Sequence, residues 1–160
     1  MAYQKLQVSS ALAVIPSDFI NIPNPSDSSI SGTTDGTTGL TDSTATFTDG
    51  SVKIGDIVYD TSNSVVGRVT AIAATVLTLD NGNGVAVNLA TGASYVVYKD
   101  TNNAAVLYVG VAGDLVVEMA NSGLQPTQAT FTAAANGYHP IQVNKVLATG
   151  TAATNIVALL

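Results

Sequence analysis

The one histidine of this chain is the first residue to consider for catalysis. His139 lies between Tyr138 and Pro140, where the pattern predicts that a strand begins. Nucleophilic catalysis needs a nucleophile, a base and an orienting acid in mutual contact. One imidazole without an accompanying motif does not indicate such a triad. We therefore expect His139 to be a structural or surface residue.

A pair of carboxylates would offer a second chemistry, glycoside hydrolysis. Glu118 is the sole glutamate, and Asp114 is the aspartate best placed to pair with it. Within one strand the two would share a face, but their Cα atoms would be about 13 Å apart at about 3.3 Å per residue. We expect solvated charges on an exposed face, so the sequence predicts no catalytic residue and no enzyme.

Aspartates recur along the first third of the chain at intervals of eight, seven, seven and seven residues. They are Asp27, Asp35, Asp42, Asp49 and Asp56. Calcium loops need several oxygen ligands converging within one short loop, which this spacing does not provide. Aspartate is also common in turns, because its side chain bonds the backbone two residues further on. We predict turn residues and no metal site.

Two glycine pairs are the remaining candidates for a ligand loop. Gly82 and Gly84 are separated by one residue, and Gly110 and Gly113 follow a predicted strand. A nucleotide loop would be followed by a helix and by an acidic residue for the ribose. Neither pair has these, so we predict turns and no cofactor.

The composition favours a protein that works within an assembly, and a thermally robust secreted β-domain is the alternative. Hydrophobic residues make up 46% of the 160 residues and charged residues only 10%, against about 25% in ordinary soluble domains. A surface with so few charges does little to repel copies of itself. The formal charge is −6, and no Lys/Arg cluster is available for phosphates, so nucleic acid is not an expected partner.

The absence of cysteine and the short length of the apolar runs exclude further kinds of site and structure. The chain has no cysteine, so disulfides and thiolate metal sites are impossible. Its apolar runs are shorter than the ~18 residues of a membrane span. We therefore expect no membrane partner.

The elements that position these residues are predicted to be strands throughout. Residues 104–115 and 140–160 alternate apolar and small polar residues at the period of a strand and break at glycine. Between residues 52 and 98, short strand patterns alternate with turns such as Asp80-Asn81-Gly82. Several short strands in so few residues are typical of a small barrel or sandwich. The sequence predicts an all-β fold.

Three segments resemble a known family: AVIPSD at 13–18, LYVGVAGD at 107–114 and VLATGTAATNIVAL at 146–159. Together they are similar to the head-spike base and capsid decoration proteins of tailed phages and gene transfer agents. The resemblance covers residues 1–25 and 103–160. It implies a jelly-roll-like β-sandwich host domain, residues 1–26 plus 103–160, interrupted by a small β-barrel at residues 27–102. We call these parts the host segments and the insertion.

The resemblance implies a virion structural protein on the outer surface of the capsid, as the base of a vertex spike. Its partners would be the major capsid protein, copies of itself in a pentamer, and a spike fibre protein. A trimeric cement protein at three-fold positions is one alternative. Another is a carbohydrate-binding or adhesin module, with Tyr59, Tyr95 and Tyr98 as its aromatic platform.

A candidate oligomer or capsid interface follows from alternation in the host segments. If Leu107, Val109 and Val111 face the core, then the opposite alternation faces outward. The predicted interface residues are Val106, Tyr108, Val116 and Val146. We also expect the host segments to fold after deletion of the insertion, since loop closure depends only weakly on loop length.

Overall fold

The computed structural model describes residues 8–101, 104–120 and 127–160. These residues form thirteen strands and two short 3₁₀ turns, Pro25–Asp27 and Phe47–Asp49. In chain order the strands are β1 (Ala11–Ala13), β2 (Ser28–Thr33), β3 (Leu40–Thr41), β4 (Ile57–Asp60), β5 (Val65–Ile72), β6 (Val76–Asp80), β7 (Ala86–Val87), β8 (Ser94–Tyr98), β9 (Ala105–Val111), β10 (Gly113–Met119), β11 (Thr127–Ala134), β12 (Gly137–Val146) and β13 (Thr154–Leu159). No helix in these ranges is long and apolar enough to cross a membrane.

The strands form two antiparallel sheets, and the prediction of an all-β fold is confirmed. The six-stranded sheet has the order β1-β13-β9-β12-β10-β11, and all its strands come from the host segments. The seven-stranded sheet has the order β2-β8-β4-β5-β6-β3, with β7 also paired to β6. All its strands come from the insertion.

The insertion encloses a hydrophobic core of its own. Ten buried side chains form this cluster, and every one lies between residues 40 and 97. Val58, Leu77 and Tyr95 are among its fully buried members. Successive residues of a strand point to opposite sides, so β4 and β8 send alternate residues into this core. Their remaining residues face the other way.

A second hydrophobic core joins the two sheets. It contains Leu107 and Val109 of the six-stranded sheet together with Ile57, Tyr59 and Tyr98 of the insertion. The Tyr59 and Tyr98 rings meet edge to face, with centroids 5.6 Å apart. All four residues of β4 are therefore buried. The inner face of the host sheet is covered by the outside of the insertion, and we call this cluster the shared core.

The segment between β1 and β2 lies in the same junction. Ile20 and Ile22 belong to the shared core, and Ile15 lies beside Tyr59. Burial in this apolar surrounding raises the pKa of Tyr59. The host segments and the insertion are thus linked by packing.

Candidate interaction surface

Two of the four predicted interface residues retain exposed surface. Tyr108 lies on the side of β9 that faces away from the shared core and is 39% exposed. Val116 also faces outward, because its neighbours Leu115 and Val117 are fully buried in the shared core, but it is only half-buried. The predicted inward residues Leu107 and Val109 are fully buried. Val111 is 46% exposed, since β9 extends beyond the core at this end.

The other two predicted interface residues lie inside the chain, and this corrects their assignment. Val146 is 1% exposed and belongs to the shared core. Its side is reversed because the register of β12 against β10 shifts between Glu118 and Met119. Val106 is 7% exposed, flanked by Leu159 on β13 and by Gln142 on β12. A second molecule can cover neither side chain.

The exposed aromatic surface of the six-stranded sheet is centred on a pair of tyrosines. Tyr108 stands directly opposite Tyr138 on β12 and opposite Val157 on β13. The two tyrosine rings meet edge to face, with centroids 5.5 Å apart and planes at 77°. Tyr138 is 67% exposed. We call Tyr108, Tyr138 and Val157 the tyrosine face.

The sequence pattern does not indicate Tyr138, because it predicts that the strand begins at Pro140. Instead β12 begins at Gly137 and continues through the proline. A bulge makes this possible, since the register against β9 shifts between His139 and Gln142. Proline lacks the N–H of a regular ladder and is tolerated at such an irregularity. Alternation within β12 is the signal that points to Tyr138, because Ile141 and Val143 face the shared core and Tyr138 is on the opposite side.

The titratable residues first considered for catalysis have structural partners. The Nε2–H of His139 donates to the Ala135 carbonyl oxygen at 2.9 Å, and its ring packs near Phe131. Asp114 accepts a hydrogen bond from the Ala133 N–H at 2.8 Å. Glu118 forms an ion pair with Lys145 at 3.1 Å, with both side chains largely buried. The expectation of solvated carboxylates is therefore wrong for Glu118.

The prediction that the spaced aspartates are turn residues is confirmed for most of the series. Asp42 accepts the N–H of Thr44 and Asp49 accepts that of Ser51, each two residues further on. Asp56 accepts the Lys53 N–H. Within residues 8–101, 104–120 and 127–160, no group of three or more His, Cys, Asp or Glu residues is placed to hold a metal ion. These carboxylates shape loops.

The proposed carbohydrate platform of the insertion is buried. Tyr59, Tyr95 and Tyr98 are between 1% and 7% exposed. As their odd spacing predicts, Tyr95 and Tyr98 face opposite sides of β8, and each side is a core. Among the described tyrosines, only those of the tyrosine face are exposed.

Comparison with known proteins gives no relative from which a role can be transferred. No protein-family model matches the chain, and no curated protein or solved structure is significantly similar to it. The tyrosine face and the sequence patterns are the observations on which a function can be argued.

Proposed function

We propose that this protein is a virion structural protein that decorates the outside of a phage capsid as the base of a vertex spike. The observation that carries the proposal is the tyrosine face. It is exposed and uncharged, and it lies on the sheet built by the segments that resemble spike-base proteins. In this role the tyrosine face binds the major capsid protein.

Tyrosine suits such a contact, because its ring supplies apolar area while its hydroxyl can hydrogen-bond the partner. Each Å² of apolar surface covered contributes about 25 cal/mol. The chain adds little repulsion, since charged residues are only 10% of its composition. One of the few lysines, Lys145, is already paired with Glu118.

The two alternative functions require different kinds of binding surface. A trimeric cement protein would use the same tyrosine face at a different symmetry axis. A carbohydrate-binding or adhesin module would need a sugar platform, and Tyr59, Tyr95 and Tyr98 offer no exposed ring. The tyrosine face is not a flat platform either, because its ring planes are 77° apart. The geometry favours a protein partner.

The test is the location of the protein in particles that carry its gene. We expect electron cryomicroscopy to show its density on the outer surface of the shell. A Tyr108→Asp/Tyr138→Asp variant should remain folded and be at least ten-fold depleted from purified particles by quantitative mass spectrometry. Val146→Asp is unsuitable here, because it would place a charge in the shared core.

Ile54→Asp is the matched control, since Ile54 is an apolar residue 70% exposed on the insertion. It should bind particles like the wild type. Unchanged binding of the tyrosine variant, or wild-type density at the tail tip, would contradict a capsid role for this face.

A further inference from the structure

In the described part of the chain, each outermost strand of the six-stranded sheet has a neighbouring strand on one side only. There, β11 pairs only with β10, and β1 pairs only with β13. An edge strand presents a row of unpaired N–H and C=O groups to which another strand can add. The sheet therefore has two sites for strand addition.

The chemistry of the edges does not protect them. Natural proteins shield exposed edges with charged residues, proline or bulges. Strand β11 has the sequence TQATFTAA and β1 the sequence ALA, with neither charge nor proline. A bulge in β11 lies near its end, around Ala133, and Asp114 holds it. The preceding residues 128–131 keep a regular register against β10.

The strand directions make the two edges complementary. Every neighbouring pair in this sheet is antiparallel, and the number of strands is even. Strands β1 and β11 consequently run in opposite directions. A copy rotated about an axis along the strands brings its β1 antiparallel to β11 of its neighbour.

We propose that β11 of one copy pairs with β1 of the next, so that the sheets join into a closed ring. This inference rests on the proposed function, because three-fold or five-fold positions require head-to-tail contacts. Pairing of β11 with β11 would instead produce a two-fold dimer. The tyrosine face is left free for the coat protein.

Disulfide trapping in the otherwise complete chain tests the ring. Because the chain has no native cysteine, every disulfide must involve an introduced residue. Thr130, Ala11 and Ala13 are exposed on the outer side of the sheet. A disulfide requires Cβ atoms about 3.5–4.5 Å apart. We therefore combine Thr130→Cys or Gln128→Cys with Ala11→Cys or Ala13→Cys, which samples neighbouring registers. At least one double variant should give a ladder of crosslinked oligomers on a non-reducing gel. The ladder should end at one oligomer size and disappear on reduction.

Three comparisons decide the outcome. The single variants should remain uncrosslinked, and Ile54→Cys/Val85→Cys, an exposed pair on the insertion, should give no ladder. Dimers of Thr130→Cys alone would overturn the ring in favour of a two-fold contact. Oligomers by light scattering without any crosslinked pair would also overturn it. A monomer that still binds particles would refute the ring alone, whereas a crosslinked ring absent from particles would refute the proposed function alone.

Discussion

The two sheets differ in how completely each encloses a core. The ten-residue core of the insertion uses only its own residues, from Leu40 to Val97. The six-stranded sheet has no comparable core to itself, because its inner face is covered by Ile57, Tyr59 and Tyr98. The inserted unit is thus the more self-sufficient, and the host sheet depends on it.

The loops show the same difference. In the insertion, Asp42, Asp49 and Asp60 each accept the N–H two residues ahead, so these turns are closed locally. In the host segments, Asp18 accepts hydrogen bonds from Thr149, 131 residues away. Those bonds hold the pKa of Asp18 below its usual value. This host contact forms only when the two ends of the chain have come together.

Removal of the insertion gives the largest expected effect. Each of the three insertion residues in the shared core contributes roughly 2 kcal/mol when buried, and whole domains are stable by only about 5–15 kcal/mol. Replacing residues 27–102 by a short Gly-Ser link should abolish cooperative unfolding, measured by circular dichroism and calorimetry. This reverses the expectation from sequence that the host segments fold alone.

The reciprocal fragment is the control for that deletion. Residues 24–101, produced alone, should unfold in one cooperative transition and bind a hydrophobic dye through the uncovered Ile57 and Tyr98. A cooperative host fragment, or an unfolded insertion fragment, would contradict the dependence inferred from the two cores.

Periodicity and turn chemistry sufficed to predict what is local. The all-β class, the inward Leu107 and Val109, and the turn role of Asp42 all follow from patterns of a few residues. The shared core does have a signal in the sequence, because Ile57-Val58-Tyr59 is apolar without alternation, which is typical of a strand buried on both faces. The sequence pattern predicts burial there, but it does not name the covering sheet.

The candidate surface was less predictable, because it depends on bulges. Alternation extrapolates correctly along β9 at Tyr108. It fails at Val146, where a register shift reverses the side that the residue faces. Tyr138 is missed for another reason, because the pattern predicts that the strand begins at Pro140 whereas β12 begins at Gly137. A bulge has no reliable signature in one sequence, so residues beyond it cannot be assigned to a face.

A moderate effect is expected inside the core of the insertion. The Tyr95 hydroxyl donates to Asp42 Oδ2 at 2.7 Å, and both residues are buried. Tyr95→Phe leaves that carboxylate oxygen short of a donor, at a cost of about 2 kcal/mol. Chemical denaturation at neutral pH measures this loss. Tyr138→Phe removes an exposed hydroxyl and should change stability by less than about 0.5 kcal/mol.

The hydrogen bond between Tyr95 and Asp42 also predicts that the free energy of unfolding depends on pH. Burial is the largest influence and raises the pKa of Asp42, but hydrogen bonds from Thr44, Tyr95 and Ala45 together outweigh it and hold the pKa below its ordinary 3.8. A carboxylate whose pKa is lower in the folded than in the unfolded state stabilises the protein at pH values above the unfolded-state pKa. This stabilisation is lost as the pH falls towards the folded-state pKa. The stability difference between wild type and Tyr95→Phe should therefore shrink below about pH 4. A constant difference across this range would contradict the role of the charged carboxylate.

The smallest expected effect tests the host loops. Ala133, at the bulge of β11, has φ = 50°, a left-handed conformation that costs a residue with a Cβ roughly 1 kcal/mol or more. Glycine removes that cost but gains freedom in the unfolded chain, so Ala133→Gly should stabilise the protein by about 0.5 kcal/mol. Ala135→Gly, where φ is not positive, should destabilise it slightly. If Ala133→Gly also destabilises the protein, then the Ala133 methyl group contributes more stability than the left-handed backbone conformation costs. That result would contradict the inference that contacts with the rest of the host sheet hold Ala133 in an unfavourable conformation.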